Sequence, residues 1–164
     1  MSSYTCAVLT TSDKGSRGER EDTSGPALRQ LLAEQGFTVA GHALVPDRIE
    51  EIRQAVLAWV DRDQIDLIVI TGGTGLSPSD VTPEATRTLL DREIPGMAEA
   101  MRAASLLKTK NAMLSRGLVG TRGRSLIINL PGSRKAALEN LEVLLPVLPH
   151  ALEKIQGSTR DCQP

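Results

Sequence analysis

Leu67-Ile-Val-Ile70, followed by Thr71-Gly-Gly-Thr-Gly-Leu-Ser-Pro-Ser-Asp-Val-Thr-Pro-Glu-Ala-Thr86, is the stretch on which the fold turns. Four consecutive aliphatic residues read as a strand buried on both faces. Three glycines in four positions, Gly72, Gly73 and Gly75, then leave the strand end bare of side chains. Backbone N–H groups in such a loop approach an anion closely. Asp80 follows at the lip of a helix, Pro83 is placed to open that helix, and Ala85, Leu89 and Leu90 give it an apolar side. Strand, glycine loop, carboxylate and helix N-terminus together make a phosphate-site architecture of α/β proteins. The competing reading is a tight strand-to-helix turn with no ligand, which rarely needs three glycines and an acid.

Neither well-known phosphate motif is present. A P-loop requires Lys-Ser/Thr after its last glycine, and here Leu76-Ser77 follows. The dinucleotide fingerprint requires a third glycine where Pro78 stands.

Working outward, Thr5 to Thr10 reads as a first strand, and Thr11 to Thr23 as a polar loop holding Asp13 and Asp22. Ser24-Gly25-Pro26 starts a helix with Leu28, Leu31 and Leu32 at helical spacing, ended by Gly36. A second strand covers Phe37 to Val45. Pro46-Asp47 leads into a helix with Ile49, Ile52, Val56, Trp59 and Val60 on one side. After the glycine loop, helical stretches run to about Leu107 with a break at Pro95-Gly96. Ala112–Val119 and Ser125–Leu130 are expected to form a hairpin joined by Gly120-Thr-Arg-Gly123. Ser133 is a candidate cap for a last long helix in which Leu138, Leu141, Leu145 and Leu148 share a side. This βα alternation predicts a three-layer αβα sandwich with a mostly parallel sheet and a small hairpin in the C-terminal half. The 164 residues fit one domain, 1–164. The loops after the strands, around Asp13 and Asp22, Asp47, Gly72–Asp80 and Pro131–Ser133, are expected along one edge, where such sheets bind ligands.

Composition narrows the function. Only 2% of residues are aromatic (Tyr4, Phe37 and Trp59), so stacking of nucleic-acid bases is nearly excluded. Cys6 and Cys162 suggest no disulfide framework, and His42 and His150 have no ligand-like neighbours. No membrane-length apolar run or signal segment is evident, which predicts a cytoplasmic protein. Net charge is −1, unevenly spread. Ala100 to Leu138 holds eight basic residues and no acid, leaving 11 of the 19 basic residues against all 20 acidic ones elsewhere, a balance of −9. That asymmetry points to a polyanionic small ligand or an electrostatic subunit interface, and away from nucleic acid.

Acids beside an anion site repel the ligand unless a divalent cation intervenes, so Mg2+ with ATP is the economical reading of Asp13 or Asp22, Asp47 and Asp80. Asp47 equally fits a plain helix cap before Ile49. Ser115-Arg116 and Ser133 with Lys135 add hydroxyl and cationic groups suited to phosphate, while Arg122 and Arg124 equally fit hairpin surface charges.

Thr11-Ser-Asp13, Asp22-Thr-Ser-Gly-Pro26, Val45-Pro-Asp47, Thr71-Gly-Gly-Thr-Gly75, Asp80-Val-Thr-Pro-Glu-Ala-Thr86, Asp91-Arg-Glu-Ile-Pro-Gly96, Ser115-Arg116 and Leu130-Pro-Gly-Ser133 occur here in order. In these motifs, over roughly Ala7 to Ile155, the chain resembles the molybdopterin adenylyltransferase family of molybdenum cofactor biosynthesis (MogA/MoaB type, like the G domain of gephyrin). The resemblance implies a trimeric enzyme that uses Mg2+ and ATP to adenylylate molybdopterin, releases pyrophosphate, and passes its product to a molybdenum-insertion protein. It implies that Asp47 and Asp80 are catalytic and hold the metal. It places Ser12, Asp13, Asp22, Gly25, Gly72, Gly73, Thr74 and Gly75 at the nucleotide. Ser115, Arg116, Pro131, Gly132, Ser133 and Lys135 would lie at the pterin substrate. A terminal phosphate is already ionised at neutral pH, so such a reaction needs no strong general base. Two alternatives remain: a non-catalytic molybdopterin carrier, and a structural scaffold of the same fold.

Overall fold

The computed structural model describes residues 3–159. Cys162 lies outside the described residues. Six strands order as β2-β1-β3-β6-β5-β4. They are β1 (Thr5–Thr11), β2 (Thr38–Val45), β3 (Leu67–Thr71), β4 (Arg92–Glu93), β5 (Val119–Arg122) and β6 (Ser125–Leu130). β2, β1, β3 and β6 run parallel, and β5 is antiparallel to both β6 and β4.

Side-chain alternation along the strands builds two cores. Cys6, Val8, Leu67, Val69, Leu126 and Ile128 face one side. There they meet α2 (Ser24–Glu34), α5 (Pro95–Leu106), α6 (Arg134–Leu144) and α7 (Leu148–Ile155). Ala7, Leu9, Ile68, Ile70 and Ile127 face the other, against α3 (Ile49–Leu57) and α4 (Thr82–Arg87). The sheet thus lies between two helical layers, as expected. β3 is buried along its whole length, which is why its apolar run is unbroken. Burying each large aliphatic side chain there contributes roughly 1.5–3 kcal/mol.

Local signals explain most boundaries. Gly36 takes φ +87, and the amides of Gly36 and Phe37 bond to Ala33 and Leu32, a Schellman stop for α2. Ser133 caps α6, its hydroxyl accepting from the Ala136 amide at 3.3 Å.

Five expectations need correction. Arg92–Glu93, expected within helical stretches, is strand β4, and Pro95-Gly96, expected to break the helix, opens α5. Ala112 to Leu114 is not strand but part of a 3-10 turn, Lys110–Leu114. The hairpin turn is Gly123-Arg124, not Gly120–Gly123, since Arg122 pairs with Ser125 and Gly120 pairs within the strands. The last helix divides at Pro146, which lacks the N–H needed to continue α6. The loop after β1 contains a short helix, α1 (Asp13–Ser16). No helix of the described residues is long and apolar enough to cross a membrane.

Register sets the edge that matters. Thr10 pairs with Thr71, Thr71 with Leu130, and Thr11 with Val45. The segments after β1, β2, β3 and β6 therefore leave side by side. The chain passes from β1 to β2 on one flank and from β3 towards β6 on the other, so the sheet splits between the ends of β1 and β3.

Candidate active site

A cleft of about 530 Å³ opens at that split. Its floor is the end of β1 (Thr10, Thr11), the glycines Gly72 and Gly73, and Gly132. These loops are bonded to one another. The Gly72 amide donates to Leu130 O at 3.1 Å, the Thr71 hydroxyl to Pro131 O at 2.7 Å, and the Ser24 hydroxyl to Gly132 O at 2.8 Å. Gly72 takes φ +104 and Gly73 φ +64, conformations that favour glycine.

Two eleven-residue helices begin at the cleft. Thr23 and Ser24 open α2, and Ser133 and Arg134 open α6; all four residues line it. The Thr23 side chain does not cap α2; the Gly25 amide in its first turn is taken by Asp22 Oδ1 at 2.9 Å. Two converging helix dipoles favour an anion. Arg20 and Arg134 line the same space and add positive charge. Neither was singled out for this place from the sequence: Arg20 looks like any loop charge, and only adjacency to the capping Ser133 marks Arg134.

Asp47 and Asp80 both line the cleft and flank the glycine loop. A Cβ placed on Gly73 would lie 3.3 Å from Asp47 Oδ1, and one on Gly75 would lie 2.9 Å from Asp80 Oδ2. Asp47 does not cap α3, whose N-cap residue is Arg48 and makes no side-chain cap bond to the helix amides. Its Oδ2 instead accepts the Asp13 amide at 2.9 Å, while its own amide donates to Asp13 Oδ1 at 2.9 Å. Burial pushes the Asp47 carboxyl above its ordinary range; the Asp13 amide and the Thr11 hydroxyl pull back, and the charges of Asp13 and Asp80 add to the rise. Asp80 closes a tight turn, with Oδ2 accepting the Ser77 amide at 2.9 Å and its amide donating to Ser77 O at 2.8 Å.

Of the two aspartates in the first loop, Asp22 reaches the cleft wall, where Glu21 also lies, and Asp13 supports Asp47 from behind. Asp22 accepts from the Thr10 hydroxyl at 2.8 Å and the Gly25 amide at 2.9 Å. Gly25 is buried beneath it, and a Cβ there would lie 2.7 Å from Thr10 Oγ1 and nearer still to Asp22 Oδ2. Ser12 lines the cleft and caps α1 through the Gly15 amide at 2.9 Å.

Thr74, Gly75, Ser115 and Pro131 line a second, largely apolar cavity of about 280 Å³ on the far side of the glycine loop, with Asn111 and Asn140 at its walls. Lys135 is exposed and lines neither cavity. Arg116 is engaged within the protein. It donates to Gly75 O at 2.8 Å and Asp80 O at 2.7 Å, and pairs with Glu84.

The basic stretch is partly neutralised by acids distant in sequence. Arg122 pairs with Asp61 at 2.8 Å, Lys108 with Glu139 at 3.0 Å, and Arg116 with Glu84. Arg102 donates to Gly117 O at 2.8 Å.

Comparison with known proteins places this architecture. The sequence profile of the family described as "probable molybdopterin binding domain" matches residues 7–150. The chain is 39% identical to the molybdopterin adenylyltransferase of Helicobacter pylori strain J99, over 96% of this chain and 91% of that protein. It is 46% identical, over 94% of its length, to the Drosophila melanogaster molybdenum cofactor synthesis protein cinnamon, of which it spans only 26%. The crystal structure of the molybdopterin biosynthesis enzyme MoaB of Thermus thermophilus superposes with a TM-score of 0.90 at 56% identity, covering 94% of this chain and 98% of that one. The fold, the profile match over most of the chain and these relatives agree: the chain belongs to the molybdopterin-binding domain family of molybdenum cofactor biosynthesis.

Proposed function

We propose that this protein is a molybdopterin adenylyltransferase, using ATP and Mg2+ to adenylylate molybdopterin and prepare it for metal insertion. The observation that carries the reading is the placement of Asp47 and Asp80 on either side of a glycine loop, in a cleft walled by two helix N-termini. The likeness to the Helicobacter pylori adenylyltransferase over nearly the whole chain supports the same reaction.

In this reading the 530 Å³ cleft takes the nucleotide, and the second cavity takes the pterin side. A terminal phosphate oxygen of molybdopterin attacks the α-phosphorus of ATP. The bond from that phosphorus to the bridging oxygen breaks, and pyrophosphate leaves with the electron pair. Nucleophile and leaving group are both ionised at neutral pH, so no side chain has to take a proton. The protein's task is to hold two anions in line and offset their repulsion. The Gly73 amide and the N-terminal dipoles of α2 and α6 face the phosphates, and Arg20 and Arg134 supply cationic charge. Ser115 and Pro131 hold the pterin side, and Asp22 with Ser12 bounds the nucleotide.

The donor set fits magnesium. Among the described residues no group of three or more His, Cys, Asp or Glu gathers as a complete metal site. Two hard carboxylates are what an ion that also takes phosphate oxygens and water requires. Asp47 and Asp80 would hold it, and its charge, when bound, relieves both their mutual repulsion and that of the substrates. We also propose a cytoplasmic homotrimer that hands its product to a molybdenum-insertion protein; light scattering checks the stoichiometry.

The test is pyrophosphate release from ATP and Mg2+, with and without molybdopterin, beside Asp80→Asn. Release that needs molybdopterin and is lost in the variant is expected. Molybdopterin binding without release would make the protein a carrier, and retained turnover in Asp80→Asn would remove Asp80 from the reaction.

A further inference from the structure

We infer that Arg116 is a positioning residue that holds Asp80 in place, with Glu84 as its counter-ion, and that it acts on the reaction through that carboxylate. The inference rests on the role proposed for Asp80.

The segment Gly75–Asp80 is poorly anchored by its own side chains. Leu76 is 64% exposed, and Ser77, Pro78 and Ser79 are also exposed. The bonds inside it are local, between Ser77 and Asp80. One guanidinium fastens both ends. Arg116 Nε donates to Gly75 O at 2.8 Å, and Nη2 donates to Asp80 O at 2.7 Å. The Arg116 amide donates to Thr74 O at 2.9 Å, so its backbone holds the start of the same loop. The remaining direction of the fork meets Glu84, in the first turn of α4: Nη1 bonds to Oε1, and Nη2 reaches Oε2 at 3.4 Å.

Four of the five N–H groups of the guanidinium are thereby directed at protein acceptors, leaving little to offer a substrate. The planar fork is the group that can serve three differently placed acceptors at once; a lysine ammonium cannot reproduce that geometry. Fixing the Asp80 carbonyl fixes its Cα, and the Ser77 amide then sets the carboxylate. Glu84 is held in its charged form chiefly by its hydrogen bond to Arg116, which its lowered carboxyl pKa reflects. Displacing a reacting group by about 1 Å costs on the order of 10²-fold in rate. A loosened Asp80 is therefore expected to lower kcat by more than it raises the KM for molybdopterin, whose cavity Gly75 also lines.

The experiment compares Arg116→Gln, Arg116→Lys and Glu84→Gln with wild type, each also combined with Asp80→Asn. One readout is molybdopterin-dependent pyrophosphate release. The other is hydrogen exchange at the Ser77 and Asp80 amides, which needs no activity. Arg116→Gln is expected to lower kcat by roughly 10²-fold with a smaller rise in molybdopterin KM, and to speed exchange at those two amides. Arg116→Lys is expected to remain impaired, and Glu84→Gln to shift both readouts the same way by less. In the Asp80→Asn background, Arg116→Gln is expected to cost almost nothing further, because the two act as one unit. A raised KM with unchanged kcat, full rescue by lysine, additive losses, or unaltered exchange would each overturn the inference. If wild type releases no pyrophosphate, the adenylyl-transfer reading fails by itself, and exchange still decides whether Arg116 fastens the loop.

Discussion

Replacing Gly72 by alanine separates two ways in which the glycine loop depends on glycine. At φ +104 any side chain is strained, at a cost of roughly 1–2 kcal/mol. Gly72 also lacks room: a Cβ there would lie 2.9 Å from Thr11 Oγ1 and nearer still to Thr11 O. Thr11 cannot retreat readily, because β1 is paired on both sides and Thr11 is in register with Val45. Gly72 cannot retreat either, with its amide on Leu130 O and Gly132 packed against its Cα. Overpacking of this kind costs about 1–3 kcal/mol. Gly18 provides the control, with φ +73 and nothing within 4 Å of an added methyl. Gly18→Ala is expected to cost the strain alone. Both substitutions stiffen the unfolded chain alike, by roughly 0.4–1 kcal/mol, so that effect cancels in the comparison. Gly72→Ala should therefore be less stable than Gly18→Ala by about 1–3 kcal/mol, or very roughly 2–12 °C in Tm. Urea unfolding with unchanged m-values measures the difference. Equal costs for the two variants would refute the claim that close approach of β1 and β3 demands this glycine.

Asp47→Asn should raise stability at neutral pH while abolishing turnover. Burial raises the folded carboxyl above its ordinary 3.8, so ionised Asp47 costs stability at pH values above that unfolded figure; thermal unfolding should show the gain shrinking as pH falls to it. Gly25→Ala should displace Asp22 and raise the KM for ATP with little change in Tm, since alanine in α2 offsets part of the steric cost. The Cys6 thiol is fully buried and pushed up to about 12, so in a Cys162→Ala variant native protein should resist thiol reagents at pH 8 and react only on unfolding. Chelating divalent ions should stop pyrophosphate release, with magnesium restoring it.

The parallel sheet and the edge where its loops converge were legible because their signals are local. The run Leu67–Ile70 can only be a buried strand, and the glycines after it meet the left-handed φ values that a sharp strand exit requires. What misled was glycine used for room instead of for turning. Gly120 reads as a turn residue but lies in β5, where a Cβ would be 3.1 Å from Leu90 Cδ2 and nearer still to Arg92 O. Its purpose, the close passage of β4, exists only in three dimensions. Partners distant in sequence were equally hidden. The basic stretch pointed to a polyanionic ligand or a subunit interface, yet Arg116 and Arg122 find Glu84 and Asp61. Asp47 fitted a helix cap as well as a metal ligand, but its partner is the amide of Asp13, 34 residues earlier.

The central claim is that the adenylyl group moves from ATP to the pterin. ATP labelled at the α-phosphorus, incubated with molybdopterin and Mg2+, tests it directly. Label recovered on molybdopterin in a one-to-one ratio with released pyrophosphate is the result this account expects. Label remaining in ATP, or appearing only as free AMP, would contradict it.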